Sequence, residues 1–184
     1  MESKEALSSA LKDTQAAVYT FPLIFDMELA KTYTKNFIAA AQDQQVPLVI
    51  FNATFELPKA NTGLLALDMK VAMIKLFDES DLKVTTLVPD VYIDNVAAPW
   101  SITVILNNNI LPYPVASGEK IPWISLADIG KYVTAAVDKP ALAGQTLPIG
   151  GSLFSGEEIA SAIATKINSP VNFVSVAVVE FEKQ

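Results

Sequence analysis

Pro47-Leu48-Val49-Ile50-Phe51 is an apolar run without alternation, so a strand built from it must be covered on both faces, as a central parallel strand between helix layers is. Upstream, Ala16-Ala17-Val18-Tyr19-Thr20 reads as a second buried strand, ended by Phe21-Pro22. Asp26 stands where it would cap a long helix whose apolar face is Leu29, Tyr33, Phe37 and Ala40 or Ala41. Residues 3–12 put Ala6, Leu7, Ala10 and Leu11 on one stripe of a short helix. Downstream, the pattern predicts a helix from Asn61 to Asp78, a strand from Lys83 to Val88 broken by Pro89, and a helical turn through Tyr92-Ile93-Asp94-Asn95. Strand, helix, strand, helix, strand is the order of an α/β fold with a parallel sheet.

From Trp100 to Trp123 the wording changes. Asn107-Asn108-Asn109 is a turn cluster, and Ile110 to Pro114 and Lys120 to Trp123 are short extended pieces whose prolines place them at edges or in loops. Ser125-Leu126-Ala127-Asp128 and Ser155-Gly156-Glu157-Glu158 have capping-box form and open helices through Ala136 and Ile167. Thr146 to Ile149 and Val171 to Val176 read as strands.

Composition removes several function classes. The chain has 184 residues and a net charge of −7, and its thirteen basic residues are all lysine, with no arginine, histidine or cysteine. Ser-His-Asp and Cys-His nucleophile systems and zinc sites of the nitrogen–sulfur type therefore have no parts to be made from. An acidic, arginine-free chain also supplies little of the phosphate neutralisation on which nucleic-acid binding depends. No apolar run reaches the roughly 18 residues of a spanning helix, the N-terminus lacks a signal-peptide core, and the lack of cysteine suits a reducing compartment, so a cytoplasmic location is expected, with neither nucleic acid nor membrane as partner. No Gly-x-Gly-x-x-Gly occurs in the chain.

Six segments in order carry a family resemblance: Thr20-Phe21-Pro22-Leu23; Val49 to Thr54; the helix with Asp68-Met69-Lys70; Leu87-Val88-Pro89-Asp90-Val91-Tyr92-Ile93-Asp94-Asn95 running on to Trp100; Ile121 to Gly130; and Leu142 to Gly151 followed by Ser155 to Ile159. Together they resemble the NmrA-like branch of the atypical short-chain dehydrogenases/reductases. The resemblance implies one Rossmann-type domain over 1–184, with a sheet-and-helix core to about residue 99 and a mixed C-terminal part holding a small substrate lobe. It implies an oxidoreductase or redox sensor with NADP or NAD against the carboxyl ends of the strands. It also implies a missing N-terminal portion, the Gly-rich loop and three strands, which leaves Ala16–Thr20 as an open edge for a second copy or a partner chain. A non-enzymatic interaction module working through that edge is the alternative.

On this resemblance Thr20, Pro22, Asn52, Lys70, Pro89 and Tyr92 are candidate cofactor contacts, and Asn95, Trp100 and Trp123 candidate substrate contacts. Lys70 matches the family lysine that lowers a tyrosine's pKa, but the residue four before it is Ala66; Thr54 stands near the supporting serine. The plainer readings are a solvated or snorkelling Lys70, turn chemistry at Thr20, Pro22, Pro89 and Asn95, and core packing for Tyr92. Gly150-Gly151 through Gly156 reads as a strand-to-helix turn rather than a phosphate cradle, because Glu157 and Glu158 occupy the first helical turn. Asp90 and Asp94 read as a solvated face rather than paired catalytic acids.

Overall fold

The computed structural model describes residues 1–20, 24–54 and 57–177, apart from the side chain of Trp100. Pro22 lies outside the described residues. Two compact units form, Met1–Pro89 with Ile129–Ile149, and Asp90–Asp128 with the chain from Gly150 on.

The first unit is built on a parallel sheet of β1 (Ala17–Thr20), β2 (Val49–Asn52), β3 (Val84–Pro89) and β7 (Thr146–Ile149), in that spatial order. All four residues of β2 are buried, as its unbroken apolar run requires. On one face Ala17, Tyr19, Val49 and Phe51 pack with Phe37 and Ala40 of α2 (Met27–Asp43) and Met73 and Phe77 of α3 (Leu65–Asp78). Tyr19 sits 4.7 Å from Phe37 and 5.3 Å from Phe77, ring centre to ring centre. Helix α1 (Lys4–Leu11) starts at Ser3, whose side chain accepts from Ala6 N–H, and lies against α2. Asp26 caps α2 by accepting from the N–H groups of Glu28 and Leu29.

The buried face of α2 keeps Phe37, Ala40 and Ala41 of the expected stripe and is displaced by one residue in its first half. Ala30, Thr34, Phe37, Ile38, Ala40 and Ala41 are buried, whereas Leu29 is exposed and Tyr33 donates its hydroxyl to Glu2. Thr34 enters the core because its hydroxyl donates to the Ala30 carbonyl at 2.9 Å and lies 2.8 Å from the Tyr19 hydroxyl. Helix α3 begins at Leu65 rather than Asn61, because the Asp68 carboxylate accepts from Thr62 and Gly63 N–H and ties those residues into a turn.

The second unit carries a three-stranded sheet in the order β4 (Val91–Tyr92), β6 (Lys120–Ile124), β8 (Ser152–Ser155), and a pair, β5 (Ile110–Tyr113) with β9 (Asn172–Ser175). A 3₁₀ turn spans Ile93–Ala97, followed by α4 (Pro99–Asn108), and α6 spans Gly156–Ile167. Helix α5 (Leu126–Val137), whose residues from Ile129 on belong to the first unit, starts beside Ser125, whose hydroxyl accepts from Asp128 N–H and donates to the Asp128 carboxylate. The elements not legible as such include α4, with Pro99 in its first turn and left-handed Asn109 closing it, β8, inside what reads as a turn, and β4, which takes Tyr92 out of the expected helical turn. Proline fits β6 because β4 pairs only with Trp123 and Ile124, leaving Pro122 on a locally free edge. The capping box of α6 forms as expected, with Ser155 and Glu158 bonding reciprocally. Val96, Ile105, Leu111, Trp123, Ile159 and Val171 make this unit's core.

Candidate functional site

In open parallel sheets ligands gather at the carboxyl ends of the strands, and in the first unit those ends bring two candidates together. Thr20 at the end of β1 is in register with Asn52 at the end of β2, and Asn52 with Leu87 of β3. Side chains alternate along a strand, so Thr20 and Asn52 share the face opposite Tyr19 and Phe51. Asn52 is buried, and its side-chain oxygen accepts the Thr54 N–H at 3.0 Å. That bond holds Thr54 in the left-handed region at φ 65; its hydroxyl donates to its own neighbour's carbonyl, Ala53 O, at 2.6 Å. Pro89 is buried at the end of β3, in register with Ile149 of β7.

Lys70 lies in the second turn of α3, the helix that follows β2. It is only 7% exposed and interacts with other groups of the protein, so it is not a solvated surface lysine. A buried ammonium is costly unless compensated.

The N-terminus of α2 is capped by one of the chain's own carboxylates, whereas that of α3 has no side-chain cap. Asp26 takes two N–H groups of α2, and Asp68 holds the loop before α3. Backbone hydrogen bonds, first from Thr62, lower the pKa of Asp68. A phosphate at the α2 N-terminus would meet a carboxylate where it needs free N–H groups.

In the second unit Tyr92 ends β4 and Asn95 lies in the 3₁₀ turn. Asn95 hydrogen-bonds the Tyr113 phenol, whose pKa burial raises, and the Tyr113 ring lies 5.0 Å from that of Trp123. Trp123 donates its indole N–H to the Phe154 carbonyl at 3.1 Å. The structure thus joins Asn95 and Trp123 through Tyr113, which the sequence had not singled out; its position between Pro112 and Pro114 is the one local signal. Trp123 belongs to β6 and also lines a cavity of about 660 Å³ within this unit.

Gly150, Gly151 and the first residue of α6, Gly156, are packing residues. A Cβ on Gly151 would run into the backbone carbonyl of Trp123, one on Gly150 into the Asp90 carboxylate, and one on Gly156 into the ring of Phe173. Asp94 accepts the Leu126 N–H at 2.8 Å. Among the described residues no group of three or more acidic, His or Cys side chains is placed to hold a metal, and no helix is long and apolar enough to cross a membrane.

The model of the NmrA-like family matches residues 1–184. The chain belongs to the NmrA-like family. No curated protein matches it. Among solved structures, this NmrA-like chain is similar to a nucleoside-diphosphate-sugar epimerase from Staphylococcus aureus, at 19% identity over 99% of this chain and 64% of that one, with a TM-score of 0.77. It is similar to an NADPH-dependent quinone oxidoreductase from Escherichia coli solved with NADPH, at 20% identity over 99% and 62%, TM-score 0.71. It is also similar to NmrA, a negative transcriptional regulator solved with NADP, at 14% identity over 94% and 56%, TM-score 0.67. The NmrA-like chain therefore spans less than two thirds of each of these structures, and at such identities the likeness is one of fold, a Rossmann-like α/β arrangement.

Proposed function

We propose that the chain binds a nicotinamide dinucleotide, NADP(H) or NAD(H), at the carboxyl ends of β1, β2 and β3, as an oxidoreductase-type or redox-sensing member of its family. The observation that carries the reading is the pairing of Thr20 and Asn52 on one face, with Lys70 buried on the next helix. Two of the similar structures hold NADPH or NADP. The nicotinamide, when bound, supplies hydride transfer. A hydroxyl at Thr20, an amide at Asn52 and an ammonium at Lys70 are the donor types that ribose hydroxyls and a carboxamide need.

The fit is one-sided. These residues suit the nicotinamide-ribose end, but the pyrophosphate does not suit the α2 N-terminus, where Asp26 already accepts the N–H groups of Glu28 and Leu29. Ala66 stands where the family's proton-donating tyrosine is expected, so reduction of a carbonyl lacks its usual acid. The reading is therefore of a degenerate member in which binding is favoured over turnover.

Calorimetric titration with NADPH and NADH tests this. Saturable binding, weakened by Lys70→Ala, is expected; heat-neutral, non-saturable titrations with both cofactors would overturn it. A second reading, an interaction module, is favoured by β1: Val18 is 51% exposed on the same face as Thr20, and among the described residues β1 ends the sheet. An apolar, unpaired edge invites a further strand. A monodisperse monomer by light scattering would count against it.

A further inference from the structure

We propose that β1 is the interface between two copies of this chain, paired antiparallel about a two-fold axis at Tyr19, so that the sheet of one copy continues into the other. This rests on the interaction reading of the β1 edge and not on cofactor binding. The Ala17 N–H donates to the Leu48 carbonyl. In the parallel ladder with β2, the N–H and C=O groups of Ala17 and Tyr19 therefore point inward, and those of Val18 and Thr20 point to the edge where, among the described residues, the sheet ends. A two-fold axis at Tyr19 sets Val18 opposite Thr20 of the second copy. Each such couple exchanges both its hydrogen bonds and symmetry repeats it, so every outward backbone group of the strand finds a mate. On the open face the exposed Val18 meets a second β-branched side chain, that of Thr20 in the other copy.

The opposite edge of the same sheet is protected. In β7 the Gln145 carbonyl accepts from Thr86 N–H, which turns Leu147 and Ile149 toward β3 and Pro148 outward, where it has no N–H to offer. Strand β1 carries no such device. No proline stands within it, and no Asp, Glu or Lys occurs from Thr14 to Phe25, although charges and prolines are what keep sheet edges apart. A net charge of −7 sets two copies of the chain against each other in general. At β1 two identical edges meet without bringing like charges together, and their hydrogen-bonding groups are complementary to themselves. A second copy is therefore the partner that this edge fits.

Sedimentation velocity of the full chain over a concentration series should give a monomer–dimer equilibrium. Val18→Lys puts like charges on the pairing line, and Val18→Pro removes an outward N–H without touching the bonds to β2. Each should weaken dimerisation about tenfold or more and leave the far-ultraviolet circular dichroism unchanged. The chain has no cysteine, so introduced ones report the register. In this pairing residue 18 lies about 5.5 Å from residue 20 of the second copy between Cα atoms, within disulfide reach, whereas each lies about 7–8 Å or more from its own mate, beyond it. An oxidised mixture of Val18→Cys and Thr20→Cys chains should therefore cross-link, and each variant alone should not. A dimer insensitive to both Val18→Lys and Val18→Pro overturns the proposal. A dimer whose mixture cross-links no faster than either variant alone overturns the two-fold pairing and leaves the edge reading standing; a monomer at every concentration overturns both.

Discussion

Thr34→Val and Tyr19→Phe, singly and together, probe the polar contact at the centre of the first unit's core. Thr34 carries one hydroxyl proton, and with that proton on the Ala30 carbonyl at 2.9 Å or the Met73 sulfur, the Tyr19 hydroxyl 2.8 Å away is the donor in the bond between them. Valine keeps the shape of threonine and removes the acceptor. The tyrosine O–H is then left buried without it, at a cost of about 1–3 kcal/mol. Tyr19→Phe removes the donor while Thr34 keeps its bond to Ala30, so only the net worth of one hydrogen bond, about 0.5–1.5 kcal/mol, is lost. In the double variant no tyrosine hydroxyl is stranded. Its loss should fall about 1 kcal/mol short of the sum of the singles, well outside the roughly 0.3–0.5 kcal/mol within which independent sites add. Urea titrations followed by circular dichroism measure all four chains, and equal slopes are required for the comparison. A double variant whose loss equals the sum would refute the coupling and with it the account of why a threonine is admitted to this core.

Thr85 is fully buried and its hydroxyl has no hydrogen-bond partner; Thr85→Val should stabilise by about 1 kcal/mol, or roughly 2–4 °C in melting temperature for a chain of this size. Gly151→Ala drives a methyl into the Trp123 carbonyl and should cost about 1–3 kcal/mol or more, with loss of the near-ultraviolet signal of Trp123. Burial raises the pKa of both Tyr19 and Tyr113. The folded chain thus holds these protons more tightly than the unfolded one: the stabilisation is complete below about pH 10 and is lost as pH rises through the folded values. Melting temperature should therefore fall on the alkaline side, and Tyr19→Phe with Tyr113→Phe should flatten that limb; an unchanged limb would contradict the assignment.

The elements legible in the sequence were those whose signals are local. The run at Val49–Phe51 carries its own evidence of two covered faces, and Asp26, Ser125 and Ser155 announce helix starts because the capping groups lie within three residues of what they cap. Strand β8 was hidden because its identity comes from Lys120–Trp123, some thirty residues earlier, which it pairs antiparallel. Helix α4 was hidden because Ile102, Thr103, Val104 and Ile105 are β-branched, a strand-like wording overridden by Pro99 at the start and Asn109 at the end. The offset of α2 turns on a threonine that counts as polar until its bonds are seen. At the site, the link from Asn95 to Trp123 runs through Tyr113, 18 residues from one and ten from the other, and only the prolines flanking Tyr113 mark it locally.

Neither compact unit is one continuous stretch. The backbone passes from one to the other between Pro89 and Asp90, again between Asp128 and Ile129, and again between Ile149 and Gly150. A single protease nick at any of these joints leaves both halves still laced together, and no simple truncation yields either part intact. Isolating them calls for a designed splice, with residue 89 joined to 129 for one and 128 to 150 for the other.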